Sequence, residues 1–533
     1  MRVLTTVPPT RLQADSRPLP ERLDEAAVYA GLCNRLPANQ PNPKAVSHIP
    51  GTSRQPHPNA QASPQEVSSQ PTSTGRSDPD QLVRPHRRFH FVGIGGAGMS
   101  AVADQLLHRG CEVTGSDLAD GKTVERLRAK GAVVHLGHRP ENIEGAQFVV
   151  ISSAVPDDNP ESVEARKRGI PVLHRSEVLA ALMADREGIA VAGTHGKSTT
   201  TALVAHLLKS CSTDPSAAVG ADVISWSSNS LRGQGLYFVA EADESDRSFL
   251  RLPARHAVVT NIDWDHPDTF RSLKEVEEVF SAFLARLPEE GLAVVNAGDP
   301  PSVRAARAFH RRMVTFGLET EAQFRGEIIR VESTWQEFEV RREGRRWGRF
   351  RLPLPGRHNV ANAVAALALT AELSGLPGGT LQDALADFRG LARRLEVKGE
   401  RDGVLVIDDY GHHPREVTAS LEALRSLGRR IVLAFQPHRY TRTRALADAF
   451  GESFRNADVL FLLDIYSAGE PPIEGVDLAW FSAVVARHHA LQGAGDLESL
   501  LPAVRRVLRP GDLLVTMGAG DVWRLGERYL NES

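Results

Sequence analysis

The sequence predicts an α/β protein of three folded units, preceded by a disordered N-terminal extension. The chain has 533 residues, of which 41% are hydrophobic, which is too long for one ordinary domain and enough for two or three packed cores. Apolar strands, glycine-rich turns and helices alternate along most of the chain, as is typical of a parallel sheet covered on both faces. The first 85 residues lack this alternation.

The extension, residues 1–85, has a composition that disfavours a packed core. It contains 14 of the 33 prolines and a single aromatic residue, Tyr29. Such a segment buries too little apolar surface to offset the entropy lost on ordering. A short helix at 20–35 is compatible with the pattern. We interpret the segment as a dispensable extension in preference to a docking tail.

Charge and cysteine content exclude several classes of protein. The 63 Lys+Arg and 66 Asp+Glu residues give a net charge of -3, which argues against a protein that coats nucleic acid or an anionic membrane. The three cysteines (Cys33, Cys111 and Cys211) are too far apart for a disulfide scaffold or zinc ribbon. No apolar run approaches 18 residues and no signal peptide is evident. We therefore expect a cytoplasmic protein without a membrane span.

The first unit, predicted at 86–184, opens with a strand, a glycine-rich turn and a helix. Gly93, Gly95 and Gly98 are spaced as GxGxxG, and Asp117 ends the next strand 19 residues later. Such glycines let the backbone approach a diphosphate, and the acid can hold a ribose hydroxyl. The pattern alone leaves three alternatives open: a nicotinamide cofactor, another nucleotide diphosphate, or a turn without a ligand. Further strands are predicted at 133–136, 148–152 and 172–173.

The second unit, predicted at 185–389, begins with the strand GIAVAG and the turn GTHGKSTTT. Backbone N–H groups of such a turn cradle phosphates, Lys197 supplies a positive charge, and Ser198 can coordinate magnesium. The usual P-loop has a glycine where this chain has Val191, so the loop is a shortened variant. The strand-turn-helix context predicts nucleotide binding.

An acidic segment, YFVAEADESD at 237–246, follows the P-loop. A strand that ends in carboxylates beside a P-loop is where a magnesium ligand is expected, and Glu241 is the first candidate. Three more acids follow, Asp243, Glu244 and Asp246. We expect at least two of these three to belong to an ordinary acidic loop.

Two further segments of the second unit carry polar residues. HAVVTNIDWDH places Asn261, Asp265 and His266 at the carboxyl end of a strand, where parallel sheets bind ligands. His266 is therefore expected to touch phosphate, metal or substrate. The stretch 314–352 alternates aromatic and charged residues and predicts antiparallel hairpins. Glutamates interleave with its arginines, which favours a solvated strand face over an RNA-binding one.

The third unit, predicted at 390–533, carries DDYGHHP and FQPHRYTRT, each directly after an apolar strand. Adjacent His412 and His413 cannot easily face one ion, so the pattern disfavours zinc. Arg439, Arg442 and Arg444 suit recognition of a carboxylate or phosphate, the alternative being an ordinary basic helix start. Strands are predicted at 404–408, 431–435, 459–463 and 513–517.

Taken together, these segments resemble the Mur ligase family over roughly Arg87 to the C-terminus. The resemblance rests on their order: HFVGIGGAGMS, GSD, SSAV, GTHGKSTTT, EADESD, TNIDWDHPDTF, PGRHNVANA, DDYGHHP and FQPHRYTRT. It implies a Rossmann-like N-terminal domain for a UDP-sugar, a central P-loop ATPase-type α/β domain, and a Rossmann-like C-terminal domain that brings the amino acid. The shortened P-loop is itself typical of this family.

The resemblance also implies roles for individual residues. The positions implied to bind the UDP-sugar are Gly95, Gly96, Gly98, Ser116, Asp117, Ser152 and Ser153. Those implied to bind ATP are Gly193, Thr194, His195, Gly196, Lys197, Ser198, Thr199, His358, Asn359, Asn362, Asp409 and Tyr410. The implied catalytic residues are Lys197, Glu241 and His266, and the implied magnesium ligands are Ser198, Glu241 and His266. His412, Arg439 and Arg442 are implied on the side of the amino acid or carboxylate.

The reaction implied by the resemblance is ATP-dependent ligation of L-alanine to the lactyl carboxylate of UDP-N-acetylmuramate, through an acyl phosphate, in peptidoglycan precursor synthesis. The implied cofactors are ATP and Mg²⁺, with UDP-N-acetylmuramate, L-alanine and ATP as partners and a monomer or homodimer as the assembly. Two alternatives are attachment of a preformed tripeptide to the same sugar and NAD-dependent oxidoreduction. The family commonly has an Asn-Ala-Arg-Leu-Gly run where this chain reads NSLRG, so Arg232 is displaced by one position.

Overall fold

The computed structural model describes residues 82–332 and 334–532 of the protein. Within them lie three β-sheets of five, ten and six strands that follow one another along the chain without exchanging strands. The predicted α/β fold of three domains is therefore confirmed, whereas the boundaries of the three units stay predictions. Most of the predicted extension, with its possible helix at 20–35, lies outside the described residues.

The first sheet is fully parallel, in the order β3-β2-β1-β4-β5. This order places the crevice of a Rossmann-like sheet beyond the carboxyl ends of β1 and β4. Its strands are β1 (Arg88–Val92), β2 (Glu112–Asp117), β3 (Val133–Leu136), β4 (Phe148–Ile151) and β5 (Val172–His174). Its helices are α1 (Ala97–His108), α2 (Lys122–Ala129), α3 (Pro160–Lys167) and α4 (Arg175–Met183), with a 3-10 turn at Pro140–Ile143.

The second sheet has the order β15-β14-β13-β12-β11-β10-β6-β9-β7-β8 and is parallel from β13 to β7. Its first strands are β6 (Glu187–Ala192), β7 (Ser216–Val223), β8 (Ser228–Leu231), β9 (Tyr237–Glu241) and β10 (Ala254–Val259). The remaining strands are β11 (Leu292–Asn296), β12 (Arg312–Gly317), β13 (Phe324–Val331), β14 (Gln336–Arg342) and β15 (Arg345–Leu352).

Helices cover both faces of the second sheet. They are α5 (Lys197–Ser210), α6 (Leu273–Ala285), α7 (Pro300–Ala305), α8 (Arg357–Ser374) and α9 (Gln382–Ala386). Short 3-10 turns lie at Ile224–Trp226, Ser248–Arg251, Ala306–Ala308 and Gly378–Leu381. The run Ile189–Ala192 in β6 is wholly buried, as expected for a central parallel strand with helices on both faces.

The third sheet, β16-β17-β21-β18-β19-β20, is parallel except for its edge strand β16. Its strands are β16 (Glu396–Arg401), β17 (Val404–Asp409), β18 (Ile431–Phe435), β19 (Val459–Leu463), β20 (Gly493–Gly495) and β21 (Leu513–Met517). Its helices are α10 (Pro414–Arg425), α11 (Tyr440–Ala445), α12 (Ala447–Ser453), α13 (Leu478–Val485), α14 (Leu497–Val507) and α15 (Trp523–Asn531). The four strands predicted from sequence are present.

Apolar packing joins the first domain directly to the second. One core cluster combines side chains of α1, such as Ala103 and Leu106, with β9 residues of the central sheet, such as Phe238. Gln105 on α1 donates hydrogen bonds to Ser230 Oγ (2.8 Å) and to the Leu231 carbonyl (2.7 Å) of β8. The glycine turn that precedes α1 is thereby fixed relative to the central sheet.

The structure corrects two predictions at the level of elements. Folded structure begins within the predicted extension 1–85, because Leu82 is buried in the first core and the Arg84 carbonyl accepts a hydrogen bond from Cys111 Sγ (3.2 Å). Within 314–352, antiparallel pairing also starts later than predicted: β12 pairs in parallel with β11, and the antiparallel pairs of this stretch are β13–β14 and β14–β15. β12 continues the buried parallel sheet, so its neighbours override the local pattern. Among the described residues, no helix combines the length and the apolar character needed to cross a membrane.

Candidate active site

The glycine turn after β1 is closed by Asp117, the acid at the end of β2. Gly95 N donates to Asp117 Oδ2 at 2.8 Å, and a Cβ at Gly95 would lie 2.9 Å from that oxygen. Asp117 Oδ1 also accepts from Ala119 N at 3.1 Å. One function of this carboxylate is therefore to hold the turn, which a spacing argument alone does not reveal.

A cavity of about 1320 Å³ opens beside this turn. Of the residues predicted to bind the UDP-sugar, Gly95, Gly96, Asp117 and Ser152 line it. The third domain lines the opposite side with Arg393, Lys398, Asp408, Trp523 and Arg524, among others. The cavity thus lies between the first and third domains and carries cations suited to a diphosphate. Gly98, Ser116 and Ser153 are not part of its lining.

Ser116 belongs instead to a buried network centred on Glu161 of α3. Ser116 Oγ donates to Glu161 Oε2 at 2.5 Å and lies 2.8 Å from His138 Nδ1. Asn142 Nδ2 and Arg139 N donate to Glu161 Oε1 at 2.6 and 3.2 Å. His138 lines the cavity, so the buried network that holds His138 also fixes one wall of the candidate sugar site.

Glu161→Gln is expected to destabilise the protein and raise the KM for the UDP-sugar. Burial alone would raise the pKa of Glu161, but hydrogen bonds from His90, Ser116 and Asn142 lower it to about 2. The ionised carboxylate therefore stabilises the fold fully above its ordinary pKa of 4.5, and this contribution is lost as the pH falls towards 2. The expected cost is about 3 kcal/mol by urea unfolding at neutral pH.

The control for this prediction is Glu144→Gln, which removes a largely exposed carboxylate paired with Arg168. It is expected to change the free energy of unfolding by less than about 1 kcal/mol. Equal unfolding midpoints for the Glu161 and Glu144 variants would contradict the proposed importance of the buried network.

Gly98 and Ser153 lie where the first domain meets the acidic segment of the second. A Cβ at Gly98 would come within 3.1 Å of Arg175 Nη1, and the same guanidinium pairs with Asp243 at 3.1 Å. Ser153 Oγ donates to Asp246 Oδ2 at 2.5 Å. The two predicted sugar-site residues thus border the space between the glycine turn and the P-loop.

The P-loop, residues 193–201, joins β6 to α5. Its shape depends on contacts with the residues that directly follow β10. Gly193 (φ +137°) and Gly196 (φ +81°) have backbone angles that other residues rarely adopt. A Cβ at Gly193 would clash with Thr260 Oγ1, and one at Gly196 would meet Asn362 Oδ1 at 2.6 Å. The amino terminus of α5 then offers its N–H groups and positive dipole end to a phosphate.

Lys197 is anchored at the base of the loop. Its Nζ donates to the Gly193 and Thr194 carbonyls (2.8 and 3.1 Å) and to Glu244 Oε2 (2.9 Å). Burial on its own would lower the pKa of Lys197, but Glu244 and Asp243 outweigh burial and raise it, so the side chain stays an ammonium. Its charge and position suit it to a transferring phosphoryl group.

The acidic segment is a structured part of the site, contrary to the prediction for two of its members. Glu244 is 2% exposed and pairs with Lys197, Asp243 pairs with Arg175, and Asp246 accepts from Ser153. Burial on its own would raise the pKa of Asp243, but the Lys197 and Arg175 charges lower it to about 2. None of the three acids is an ordinary exposed loop residue, because each compensates a cation or caps a polar group.

Ser198 and Glu241 bring two oxygen donors together. Ser198 Oγ donates to Glu241 Oε1 at 3.1 Å, and Gly220 N donates to Glu241 Oε2 at 2.6 Å. A hydroxyl and a carboxylate at this spacing, beside a phosphate-binding loop, match the hard oxygen donors that magnesium prefers. The residues present therefore fit a magnesium ion.

Asn261 and His266 lie in the segment after β10. Asn261 Oδ1 accepts from His195 N at 2.9 Å, and its Nδ2 donates to the His195 carbonyl at 2.9 Å. His266 has a left-handed backbone (φ 54°), and its Nε2 lies 3.6 Å from Asp265 Oδ2. Among the groups that lower the pKa of Asp243, His266 contributes less than Lys197, Arg175 and the Ser245 N–H group. The segment thus shapes the P-loop and brings an imidazole near its acids.

A second cavity, of about 310 Å³, lies between the P-loop, α8 and the third domain. The predicted ATP-binding residues that line it are His195, Gly196, Thr199, His358, Asn359, Asn362 and Asp409. Burial lowers the pKa of His358 to about 4, so its ring is neutral near pH 7. Arg394 also lines the cavity although sequence reasoning did not select it. Tyr410 lies outside the lining, with the Arg393 and Arg394 guanidiniums each 5.1 Å from its ring centroid.

The third domain contributes a cationic face opposite the acids of the second. Arg442 forms a buried pair with Asp265 (3.0 Å), and Arg439 pairs with Asp268 (3.3 Å). His412 Nδ1 donates to the Tyr410 carbonyl at 3.0 Å, which leaves Nε2 with its lone pair. Burial lowers the pKa of His412 to about 4. Burial also lowers the pKa of His438, to about 2, and positive charge on His412 and Arg442 acts in the same direction.

Arg232 takes a structural partner. It pairs with Asp104 of α1, as does Lys130 of the first domain (2.9 Å). Burial on its own would raise the pKa of Asp104, but the two cations lower it. The displaced arginine thus stabilises the junction of the first two domains.

Comparisons with known proteins agree with this arrangement. Three family models match: "Mur ligase family, catalytic domain" at 88–187, "Mur ligase middle domain" at 191–370, and "Mur ligase, glutamate ligase domain" at 393–520. A UDP-N-acetylmuramate–L-alanine ligase of Geobacter sp. (strain M21) is 45% identical over 447 residues, which span 83% of this chain and 97% of that protein.

Two solved structures extend the comparison. The UDP-N-acetylmuramate-alanine ligase of Thermotoga maritima has a TM-score of 0.72 at 29% identity, covering 84% of this chain and 98% of that one. A murein peptide ligase of Psychrobacter arcticus has a TM-score of 0.65 at 22% identity, covering 83% and 98%. The second likeness concerns the fold alone.

A P-loop domain between two Rossmann-like domains defines a class of nucleotide-dependent three-domain enzymes. The chain belongs to the Mur ligase family, whose members are ATP-dependent ligases. Relatives that share more than two fifths of its residues over most of its length carry the name UDP-N-acetylmuramate–L-alanine ligase.

Proposed function

We propose that this protein joins L-alanine to the lactyl carboxylate of UDP-N-acetylmuramate at the expense of ATP, as a step of peptidoglycan precursor synthesis. The observation that carries the proposal is the junction of three elements: the glycine turn after β1, the P-loop before α5, and the cationic face of the third domain. Each supports recognition of one substrate. Because the reaction consumes ATP, we place it in the cytoplasm.

The chemistry requires activation, because a carboxylate is a poor electrophile. A carboxylate oxygen attacks the γ-phosphorus of ATP, ADP leaves, and an acyl phosphate forms. The L-alanine amine then attacks the acyl carbon, and inorganic phosphate leaves with the former carboxylate oxygen. Lys197 and the N–H groups at the start of α5 stabilise negative charge on the transferring phosphoryl group. A phosphate there competes with Glu244 for the Lys197 ammonium.

Ser198 and Glu241 would hold a magnesium ion, with His266 as the third proposed ligand. Such an ion supplies charge neutralisation between phosphate oxygens. The hydrogen bond that Ser198 donates to Glu241 supports the assignment, since it shows that the two oxygen atoms proposed as metal ligands already lie side by side. Asn261 keeps the loop in shape by bonding the His195 backbone on both sides.

The smaller cavity suits the nucleoside of ATP. His358, Asn359 and Asn362 on α8 approach it from one side and Asp409 from the other. Its volume of about 310 Å³ is at the lower end of small-molecule sites. Tyr410 lies outside the lining, so we propose that it acts on this site indirectly, through Arg394.

The third domain is proposed to bind L-alanine. Arg439 or Arg442 can pair with its carboxylate, and domain closure excludes water that would hydrolyse the acyl phosphate. His412 and His438 are neutral near pH 7, and His412 Nε2 has a free lone pair. The free Nε2 lone pair can accept a hydrogen bond from the L-alanine ammonium and orient it, whereas a pKa of about 4 makes the ring too weak a base to take up the ammonium proton.

The test is ADP release by the purified protein with Mg²⁺, ATP and UDP-N-acetylmuramate, with one acceptor at a time. We expect release that requires both the sugar and L-alanine, with a ligated product of matching mass. Glycine, L-serine and the tripeptide serve as competing acceptors. Dependence on the tripeptide in place of L-alanine would assign the protein to the alternative reaction, and silence with every acceptor would contradict the proposal.

A further inference from the structure

Glu416, in the first turn of α10, contacts two parts of the site through its two carboxylate oxygens. Oε1 lies 3.2 Å from His195 Nδ1 on the P-loop of the second domain. Oε2 accepts from the backbone N–H groups of His412 and His413, at 3.0 and 3.3 Å. One side chain therefore joins the nucleotide loop to the segment that carries His412.

His195 completes the connection on the side of the P-loop. Its Nε2 lies 3.4 Å from Asp263 Oδ2, so both ring nitrogens face carboxylates. Burial on its own would lower the pKa of His195, but Asp263 and Glu416 outweigh burial and raise it to about 9. A doubly donating imidazolium is thus held between one carboxylate of the second domain and one of the third.

The groups around His195 also exclude a simpler interpretation, a metal site. Ligand atoms of His195, Asp263 and His413 lie within 4.8 Å of one another. His413 Nδ1, however, accepts from Arg415 N at 3.3 Å, so a neutral His413 ring carries its proton on Nε2. Both nitrogens of His195 act as donors to carboxylates. With no nitrogen lone pair directed inwards, the cluster suits hydrogen bonding and not metal coordination.

We infer that Glu416 is a positioning residue that couples the P-loop to the amino-acid side of the site, through His195 on one oxygen and the His412–His413 backbone on the other. This inference rests on the proposed function and names a regulatory link within that same site. A nucleotide bound in the P-loop holds His195 in place. His195 in turn favours the position of Glu416 in which Glu416 orders His412. Closure of the third domain and readiness for L-alanine thereby depend on the occupied P-loop.

Other charged groups face the contact between Glu416 and His195. Asp265 raises the pKa of His195 as well, and Arg415 pairs with Asp263 at 2.9 Å. His358 on α8 and His413 on the third domain are both disfavoured as cations by the charge of His195. Substitutions confined to Glu416 and His195 leave all four of these groups intact.

The experiment is a double-substitution cycle on the full-length protein, with Glu416→Ala, His195→Asn and the pair. For each protein, KM values for L-alanine and ATP and the kcat are measured at saturating UDP-N-acetylmuramate. Glu416→Ala is expected to raise the KM for L-alanine about tenfold with a smaller change in kcat. His195→Asn is expected to raise the KM for L-alanine by a similar factor, even though the substituted residue belongs to the P-loop and not to the third domain. The double variant should be no worse than either single one.

Two further variants keep the test decisive. Glu416→Gln retains one oxygen and the shape of the side chain, so it applies if the alanine variant fails to fold. Glu422→Gln, on the same helix, removes an exposed carboxylate paired with Arg455 and is expected to keep wild-type kinetics. Wild-type KM for L-alanine in both Glu416 variants, or effects that multiply in the double variant, would overturn the coupling.

The outcomes separate this inference from the proposed function. Activity of the wild-type protein with L-alanine, together with uncoupled variants, would reject the role of Glu416 alone. A wild-type protein that releases no ADP with L-alanine would reject the proposed function. In that case, the affinity for a non-hydrolysable ATP analogue across the same four proteins still reports the coupling: additive losses would overturn it, and non-additive losses would support it.

Discussion

Lys197→Ala is expected to lower L-alanine-dependent ADP release by about 10³-fold or more, with the fold retained. Lys197 is the only residue of the loop 193–201 whose side chain is a permanent cation, and its ammonium is fixed by two loop carbonyls and Glu244. Charge that develops on the transferring phosphoryl group would lose its nearest positive partner. Steady-state ADP release and far-UV circular dichroism measure the two parts of this expectation.

The matched control is Lys209→Ala, which removes an exposed lysine from the last turn of the same helix, α5. It should retain wild-type turnover. Since the loss of Lys197 leaves Glu244 buried without its cation, Lys197→Ala with Glu244→Gln checks that a lost charge pair is not the cause. Near-normal turnover in Lys197→Ala would refute the P-loop assignment.

The second large effect is expected for Arg442→Ala, at the contact between the second and third domains. Arg442 and Asp265 are 3% and 6% exposed and lie 3.0 Å apart. The substitution leaves Asp265 buried without its cation, which costs about 3 kcal/mol and so lowers the population of the closed state by about 10²-fold. We expect kcat/KM for L-alanine to fall accordingly.

Arg444→Ala serves as the control, because Arg444 follows in the same helix but is exposed. The pair also predicts a pH dependence. Burial on its own would raise the pKa of Asp265, but the Arg442 charge holds it well below its ordinary range. The Arg442–Asp265 pair therefore stabilises the fold fully at pH values above the ordinary pKa of an aspartate, and this contribution is lost only in strong acid. Equal kcat/KM values for the two arginine variants would contradict a role of Arg442 in closure.

Sequence reasoning succeeded where the determinants are local. Glycine turns between a strand and a helix located the first two candidate ligand-binding loops, and apolar runs located the strands that end in them. Gly193 and Gly196 illustrate the reason: their positive φ angles and close neighbours leave no room for a Cβ, so the sequence must show them. The order of the motifs then indicated the family, which the comparisons confirm.

Residues whose role depends on a partner far away in the sequence escaped such reasoning. Glu416 is an unremarkable acid in a helix start until the fold places it beside His195, 221 residues away. Asp243 and Glu244 looked like an acidic loop because their partners, Arg175 and Lys197, are distant in sequence. The pairing of buried charges is a signal that could have identified Glu244, since a buried ammonium such as that of Lys197 needs a nearby anion. Nothing local distinguished Arg394.

Activation of the lactyl carboxylate by ATP can be followed with an isotope through one reaction. UDP-N-acetylmuramate labelled with ¹⁸O in its lactyl carboxylate is incubated with the protein, Mg²⁺, ATP and L-alanine, and the phosphate and sugar products are analysed by mass spectrometry. We predict one ¹⁸O atom in each inorganic phosphate, with UDP-N-acetylmuramoyl-L-alanine as the product. Unlabelled phosphate, or an unchanged UDP-sugar, would contradict carboxylate activation at this P-loop.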